Sequence, residues 1–146
     1  MINSTRILLV EDNEGDILLT LEAFKQAKIA NPVEVVKDGE EALRYLAKEG
    51  EYIDAQTPDL ILLDINLPKV DGLEVLSFIK NDEKLRIIPV VMLTTSDAEI
   101  DILQSYQEHA NCYITKPVNF NNFMEVIQTI KDFWINIVQL PKKQKI

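Results

Sequence analysis

Five residues that could do chemistry stand just behind four short apolar runs. Glu11-Asp12 follows Ile7–Val10, Asp64 follows Leu60–Leu63, Thr94 follows Ile87–Leu93, and Lys116-Pro117 comes shortly after Cys112–Ile114. If the runs are strands of one parallel sheet, these side chains share its carboxyl-terminal edge, where open α/β sheets bind their ligands. Three close carboxylates repel one another, so the group either takes a cation or shifts its pKa values upward. A hard dication held by one or two carboxylates and several waters is the usual mode for Mg²⁺. Such a cation would also neutralise an incoming phosphoryl group, whose transfer depends chiefly on positioning and charge. Lys116 would then be a point-charge donor to phosphoryl oxygen, and Thr94 a neutral donor. A single acid at a strand end is most often a helix cap or a loop residue. Glu11, Asp12, Asp64, Thr94 and Lys116 converging on one edge are harder to explain that way.

The pattern of the chain supplies the elements that would bring them together. The five apolar runs Ile7–Val10, Val33–Val36, Leu60–Leu63, Ile87–Leu93 and Cys112–Ile114 are mostly continuous, as expected for strands covered on both faces. Each is followed by a segment with helical spacing. The first is expected over Asp16–Lys28. Asp38-Gly39-Glu40-Glu41 and Asp71-Gly72-Leu73-Glu74 read as N-caps with an acid three places on, Ser96-Asp97-Ala98-Glu99 as a capping box, and Asn119 as the cap of a fifth helix. Alternation of strand and helix five times, with right-handed crossovers between parallel strands, predicts a doubly wound α/β sheet with helices on both faces. Gly50–Pro58 reads as a polar loop and Leu140–Ile146 as a tail. One domain is expected over residues 1–146, with its core at about 6–135.

Composition narrows the function classes. With 47% apolar and 27% charged residues the chain is globular in character. A formal net charge of −9 argues against nucleic acid as a partner, since binding its backbone requires clustered Lys and Arg. The one cysteine, Cys112, allows neither an internal disulfide nor a thiolate metal cluster. Residues 1–6 lack the apolar core of a secretory signal, and no apolar run reaches membrane-spanning length. A cytoplasmic setting without membrane contact is the expectation.

The combined pattern Val10-Glu11-Asp12, Leu63-Asp64-Ile65-Asn66-Leu67-Pro68-Lys69-Val70-Asp71-Gly72, Leu93-Thr94-Thr95-Ser96 and Tyr113-Ile114-Thr115-Lys116-Pro117 resembles the receiver domain of two-component response regulators. The resemblance runs from residue 6 to about 135. It implies a flavodoxin-like five-stranded parallel sheet in the order 2-1-3-4-5. Asp64 would be the phosphoacceptor, with Asp12 and Glu11 forming an acidic pocket. Mg²⁺ would be held by the carboxylates of Asp12 and Asp64 and the backbone carbonyl of Asn66, with Glu11 acting mainly through water. Thr94 and Lys116 would contact phosphoryl oxygens, Lys116-Pro117 would carry a cis peptide bond, and Tyr113 would move inward with Thr94 as a switch. The stretch Asn111-Cys112-Tyr113 and the long aromatic final helix look like the small cyanobacterial-type regulators that partner phytochrome kinases. The implied partner is therefore a phytochrome-like sensor histidine kinase.

Other features admit plainer readings. Asp71-Gly72 reads as a helix start and Pro68 as a loop stiffener; His109 is expected near the end of the fourth helix, where it suits the dipole. Thr95 stands where many receivers have a smaller residue. Phe120, Phe123, Ile127, Ile130, Trp134 and Ile137 form a stripe longer than one sheet face needs, and Ile102 and Tyr106 add an apolar face to the fourth helix. Together they predict a homodimer through the fourth helix, fifth strand and fifth helix. A stand-alone phosphoryl-accepting module, without substrate turnover of its own, is the leading function. A pseudo-receiver that keeps the fold without the chemistry is disfavoured by the presence of Asp12, Asp64, Thr94 and Lys116. A phosphatase working through an aspartyl phosphate would want a second Asp where Asn66 stands. A flavin-type carrier would want a Gly- or Ser/Thr-rich phosphate loop in place of Glu11-Asp12-Asn13-Glu14.

Overall fold

The computed structural model describes residues 6–27, 31–95 and 112–125. Five parallel strands, β1 (Ile7–Val10), β2 (Val33–Val36), β3 (Leu60–Asp64), β4 (Val90–Thr94) and β5 (Cys112–Thr115), form one sheet in the order β2-β1-β3-β4-β5. The central strands β1, β3 and β4 are buried along their whole length, which their uninterrupted apolar sequences require. Edge strand β2 exposes Glu34, and β5 exposes Thr115. The register sets Val10 beside Leu63, Asp64 beside Leu93, and Thr94 beside Thr115. The carboxyl ends of the inner strands thus finish level with one another.

Alternate residues of each strand feed two separate cores. Leu8, Val10, Ile61, Leu63 and Met92 pack with Ala42 and Leu46 of helix α2 (Gly39–Ala47) and with Val75, Leu76 and Ile79 of α3 (Gly72–Lys80). On the other face Ile7, Leu9, Leu60, Leu62, Val91 and Leu93 pack with Ile17, Ala23 and Phe24 of α1 (Glu14–Gln26) and with Phe123 of a helix beginning at residue 120. Phe24 and Phe123 meet ring to ring at 4.7 Å between centroids. The expected doubly wound arrangement, with helices on both faces, is therefore observed.

Local chemistry accounts for where the helices begin. The carboxylates of Asp38 and Asp71 accept from the amides of Glu41 and Glu74, and Asn119 accepts from Asn122. Helix α1 starts at Glu14, ahead of the expected Asp16, because the Asn13 side chain caps it by accepting from the Asp16 amide at 2.9 Å. Strand β4 starts at Val90 instead of Ile87. Arg86 and Ile88 donate to Asp82 and Leu85 in turns, Ile87 is exposed, and Pro89 has no N–H to offer a ladder. Within the expected polar loop, Gly50–Tyr52 makes a 3-10 turn and the Tyr52 ring packs edge-on against Tyr45. The expectations on the Ser96 capping box, on Ile102, Tyr106 and His109 in the fourth helix, and on Ile127, Ile130, Trp134 and Ile137 in the last helix lie outside the described residues, as does the dimer face they would build.

Two glycines after the aspartate caps are required by close approach. A Cβ on Gly39 would lie 1.7 Å from the carbonyl oxygen of Val70, and one on Gly72 would lie 2.2 Å from that of Asp64. The Gly39 amide donates to Pro68 and the Gly72 amide to Ile65, so both helix starts clasp the loop that follows β3. Gly72→Ala forces a Cβ against the backbone of Asp64 and Ile65. It is expected to destabilise the fold by about 1–3 kcal/mol in urea unfolding. A midpoint equal to the parent's would mean that the contact is not tight.

Candidate functional site

The carboxyl edge of the sheet gathers the residues expected there. Glu11 is the first residue beyond β1, Asp64 and Thr94 are the last residues of β3 and β4, and Lys116 follows β5 by one. The Lys116 amide donates to the Thr94 carbonyl, which ties the lysine's own backbone to the end of β4. The Lys116-Pro117 bond is cis. Glu11, Asp12 and Asp64 each present a carboxylate oxygen within 4.8 Å of the others. Asp12 is exposed, whereas Glu11 and Asp64 are buried.

Two buried carboxylates side by side need compensation. The Lys116 ammonium donates to Glu11 Oε1 and to Asp64 Oδ2, each at 3.1 Å. The second oxygens are met by backbone: the Asn13 amide donates to Glu11 Oε2 and the Asn66 amide to Asp64 Oδ1, both at 3.1 Å. Asn66 thus faces the acid by its amide from the clasped loop after β3. Tyr113 on β5 is half-buried against the core formed with α2 and α3. The Thr94 hydroxyl is buried and has no hydrogen-bond partner among the described residues. An unpaired buried hydroxyl costs free energy, so it marks a place where an acceptor belongs.

One carboxylate in the site was not anticipated from the sequence. Asp16 Oδ2 lies 3.2 Å from Lys116 Nζ. Read as the start of a helix, Asp16 gave no sign of chemistry. Once Asn13 is recognised as the cap, Asp16 falls in the first turn of α1, at the same edge of the sheet as Glu11 and Asp12.

Burial and the neighbouring Asp64, through a shared hydrogen bond and repulsion, push Glu11 up to about 7, against a smaller opposite pull from the Asn13 amide and Lys116. Burial alone would lower Lys116, but the charges of Asp64 and Glu11 and its hydrogen bonds to both leave it raised. The donor set suits a hard dication: three carboxylates close together, one exposed to admit water, with oxygen ligands throughout. Glu11 also makes stability depend on pH. Its folded pKa lies above the unfolded value, so the folded protein holds a proton that the unfolded chain has released between about pH 4.5 and 7. Without added metal, stability should fall across that window, by up to about 1.4 kcal/mol per pH unit. Glu11→Gln should flatten the slope. Urea midpoints at several pH values check this, and an equal slope in the variant would contradict it.

Comparison with known proteins agrees with this geometry. The model of the response regulator receiver domain matches residues 7–128. Response regulator Rcp1 of Synechocystis sp. is 46% identical over 135 residues, which cover 92% of each chain. A crystal structure of the Mn²⁺-bound form of Rcp1 has a TM-score of 0.74 at 45% identity and covers 92% of this chain and 96% of that one. The phosphorylated cyanobacterial phytochrome response regulator RcpA is similar at 51% identity, with a TM-score of 0.75 over 90% of this chain and 94% of that one. By its matched residues, its strand order and its acidic edge, this chain belongs to the response regulator receiver family.

Proposed function

We propose that the protein accepts a phosphoryl group on Asp64 from a phosphohistidine of a sensor kinase and passes the signal on by protein contacts. The observation that carries this reading is the Lys116 ammonium bridging the Glu11 and Asp64 carboxylates at 3.1 Å, with the unpaired Thr94 hydroxyl on the neighbouring strand end. In the transfer an Asp64 carboxylate oxygen attacks phosphorus, the P–N bond to the kinase imidazole breaks with its electron pair staying on nitrogen, and the ring leaves neutral with the proton its other nitrogen already carries. Asp64 is held for attack by the Asn66 amide on its other oxygen. Lys116 and Thr94 offer donors to the phosphoryl oxygens, where charge is spread in the transition state.

Asp12, Asp64 and the Asn66 backbone carbonyl would hold Mg²⁺, with Glu11 reaching it through water. When bound, the ion would supply positive charge that offsets the carboxylates and the incoming phosphoryl group. Thr94 gains an acceptor only in the phosphorylated state, and a contact made in one state alone is what shifts a conformational equilibrium. Tyr113, half-buried beside that strand, would follow it inward. Likeness to Rcp1 and RcpA supports a phytochrome-type histidine kinase as the partner in a cytoplasmic phosphorelay.

Incubation with phosphoramidate and Mg²⁺ should add one phosphoryl group to the intact mass, and Asp64→Asn should abolish the addition, since a carboxamide is a poor nucleophile for phosphorus. Undiminished labelling of the variant would overturn the assignment, and an unlabelled parent would leave a receiver that acts only as a binding module. Calorimetry with Mg²⁺ separates the acids: Asp12→Ala should weaken binding by about tenfold or more, a direct ligand being lost, and Glu11→Gln by less. Equal losses would contradict the assigned roles.

A further inference from the structure

We propose that Asp16 is a positioning residue for Lys116, which holds its ammonium toward α1 and competes with the phosphoryl group for it. This rests on the phosphoacceptor reading above. An ammonium has three N–H groups. In this structure Lys116 Nζ has three carboxylate oxygens around it: Glu11 Oε1 at 3.1 Å, Asp64 Oδ2 at 3.1 Å and Asp16 Oδ2 at 3.2 Å. Hydrogen bonds to Glu11 and Asp64 use two of the N–H groups, and the Asp16 carboxylate stands beside the ammonium as an ion-pair partner, so a phosphoryl oxygen that takes the third N–H must compete with Asp16 for the charge.

Exposure decides which of the three partners yields. The side chains of Glu11 and Asp64 are 0% and 2% exposed, and neither has water to replace the ammonium. The Asp16 side chain is 25% exposed and can be rehydrated. It also stands in the first turn of α1, where the helix dipole favours an anion with or without the lysine. Its backbone is fixed on both sides. The amide donates to Asn13 Oδ1 at 2.9 Å, and the carbonyl accepts from the Thr20 hydroxyl at 2.8 Å. The Asp16 carboxylate is thus a placed counter-ion, not a mobile surface acid. Its separation from the ammonium is the charge exchange that accompanies phosphoryl binding, and Asp16 therefore weakens the phosphorylated state relative to the resting one. Glu14, one residue before Gly15 in the same turn, is engaged with Lys37 and serves as the control for charge alone.

The experiment is calorimetric titration with beryllofluoride, a phosphoryl analogue, at saturating Mg²⁺. Asp16→Asn should tighten beryllofluoride binding by about five- to tenfold, the scale of a partly screened ion pair. Asp16→Ala should tighten it similarly, while Asp16→Glu should stay near the parent and Glu14→Gln within about twofold of it. Damage to the fold can only weaken binding, so a gain separates competition for Lys116 from a structural role. Unchanged or weaker binding in both Asp16→Asn and Asp16→Ala overturns the proposal, as does an equal gain in Glu14→Gln. A parent that binds no beryllofluoride overturns the phosphoacceptor reading itself, and is told apart from those results because every variant is then silent too.

Discussion

Two carboxylates shut away from water, those of Glu11 and Asp64, meet one ammonium at the edge of the sheet, and most of the architecture around them serves that contact. An isolated buried carboxylate would be neutralised or driven to the surface. Here each acid divides its two oxygens between Lys116 and a backbone amide, of Asn13 for Glu11 and of Asn66 for Asp64. Compensation is still incomplete, and burial together with the neighbouring Asp64 pushes Glu11 up to about 7. The protein thus keeps a cluster of incompletely compensated carboxylates at the carboxyl edge of the sheet.

Holding those groups in register is the task of the sheet and of the loop after β3. Strand pairing fixes Asp64 beside Leu93 and Thr94 beside Thr115, and the Lys116 amide continues the pattern by bonding to the Thr94 carbonyl. The loop from Ile65 to Asp71 is pinned from two sides, by the Gly39 amide on Pro68 and the Gly72 amide on Ile65. Neither glycine leaves room for a Cβ, since backbone lies against backbone at both places. The amide of Asn66 therefore meets the Asp64 carboxylate from a loop with little freedom to retreat. Tight packing at the helix starts and precise charge placement at the strand ends are consequences of the same clasp.

Much of this could be read from the residue pattern, for definite reasons. The inner strands are covered on both faces, so their runs of Ile, Leu and Val have no polar interruption to mislead. The aspartates at 38 and 71 announce their helices because a cap is a local hydrogen bond between residues three apart. Where local and tertiary signals compete, the pattern falls short. Ile87 and Ile88 look like strand, but Pro89 and the turn closed by Asp82 hold them off the sheet until Val90. Asp16 looks like a helix start, since nothing in sequence shows that Asn13 has already capped α1 or that Lys116, a hundred positions away, will lie 3.2 Å off. The depth at which Glu11 is buried was equally hidden: adjacent Glu11 and Asp12 are alike on paper, yet one is enclosed and the other exposed.

The contrast between those two acids bears on how a site so charged can remain folded while it waits for its ligands. Asp12, open to water, can carry its charge at little cost and offers a place for a hydrated cation to arrive. Glu11 and Asp64 cannot, and rely on Lys116 until something better comes. A dication held by these acids would add to the compensation that the ammonium provides to Glu11 and Asp64. Any coupling between such a cation and a second, anionic ligand would then pass through Lys116, which lies against Glu11, Asp64 and Asp16 at once. The coupling is reciprocal by necessity, so whatever holds the lysine back from one ligand also reports on the other. Thr94, lacking any acceptor among the described residues, is a buried donor that an oxygen-bearing ligand at this edge would satisfy, and so ties occupancy of the acidic edge to the end of β4.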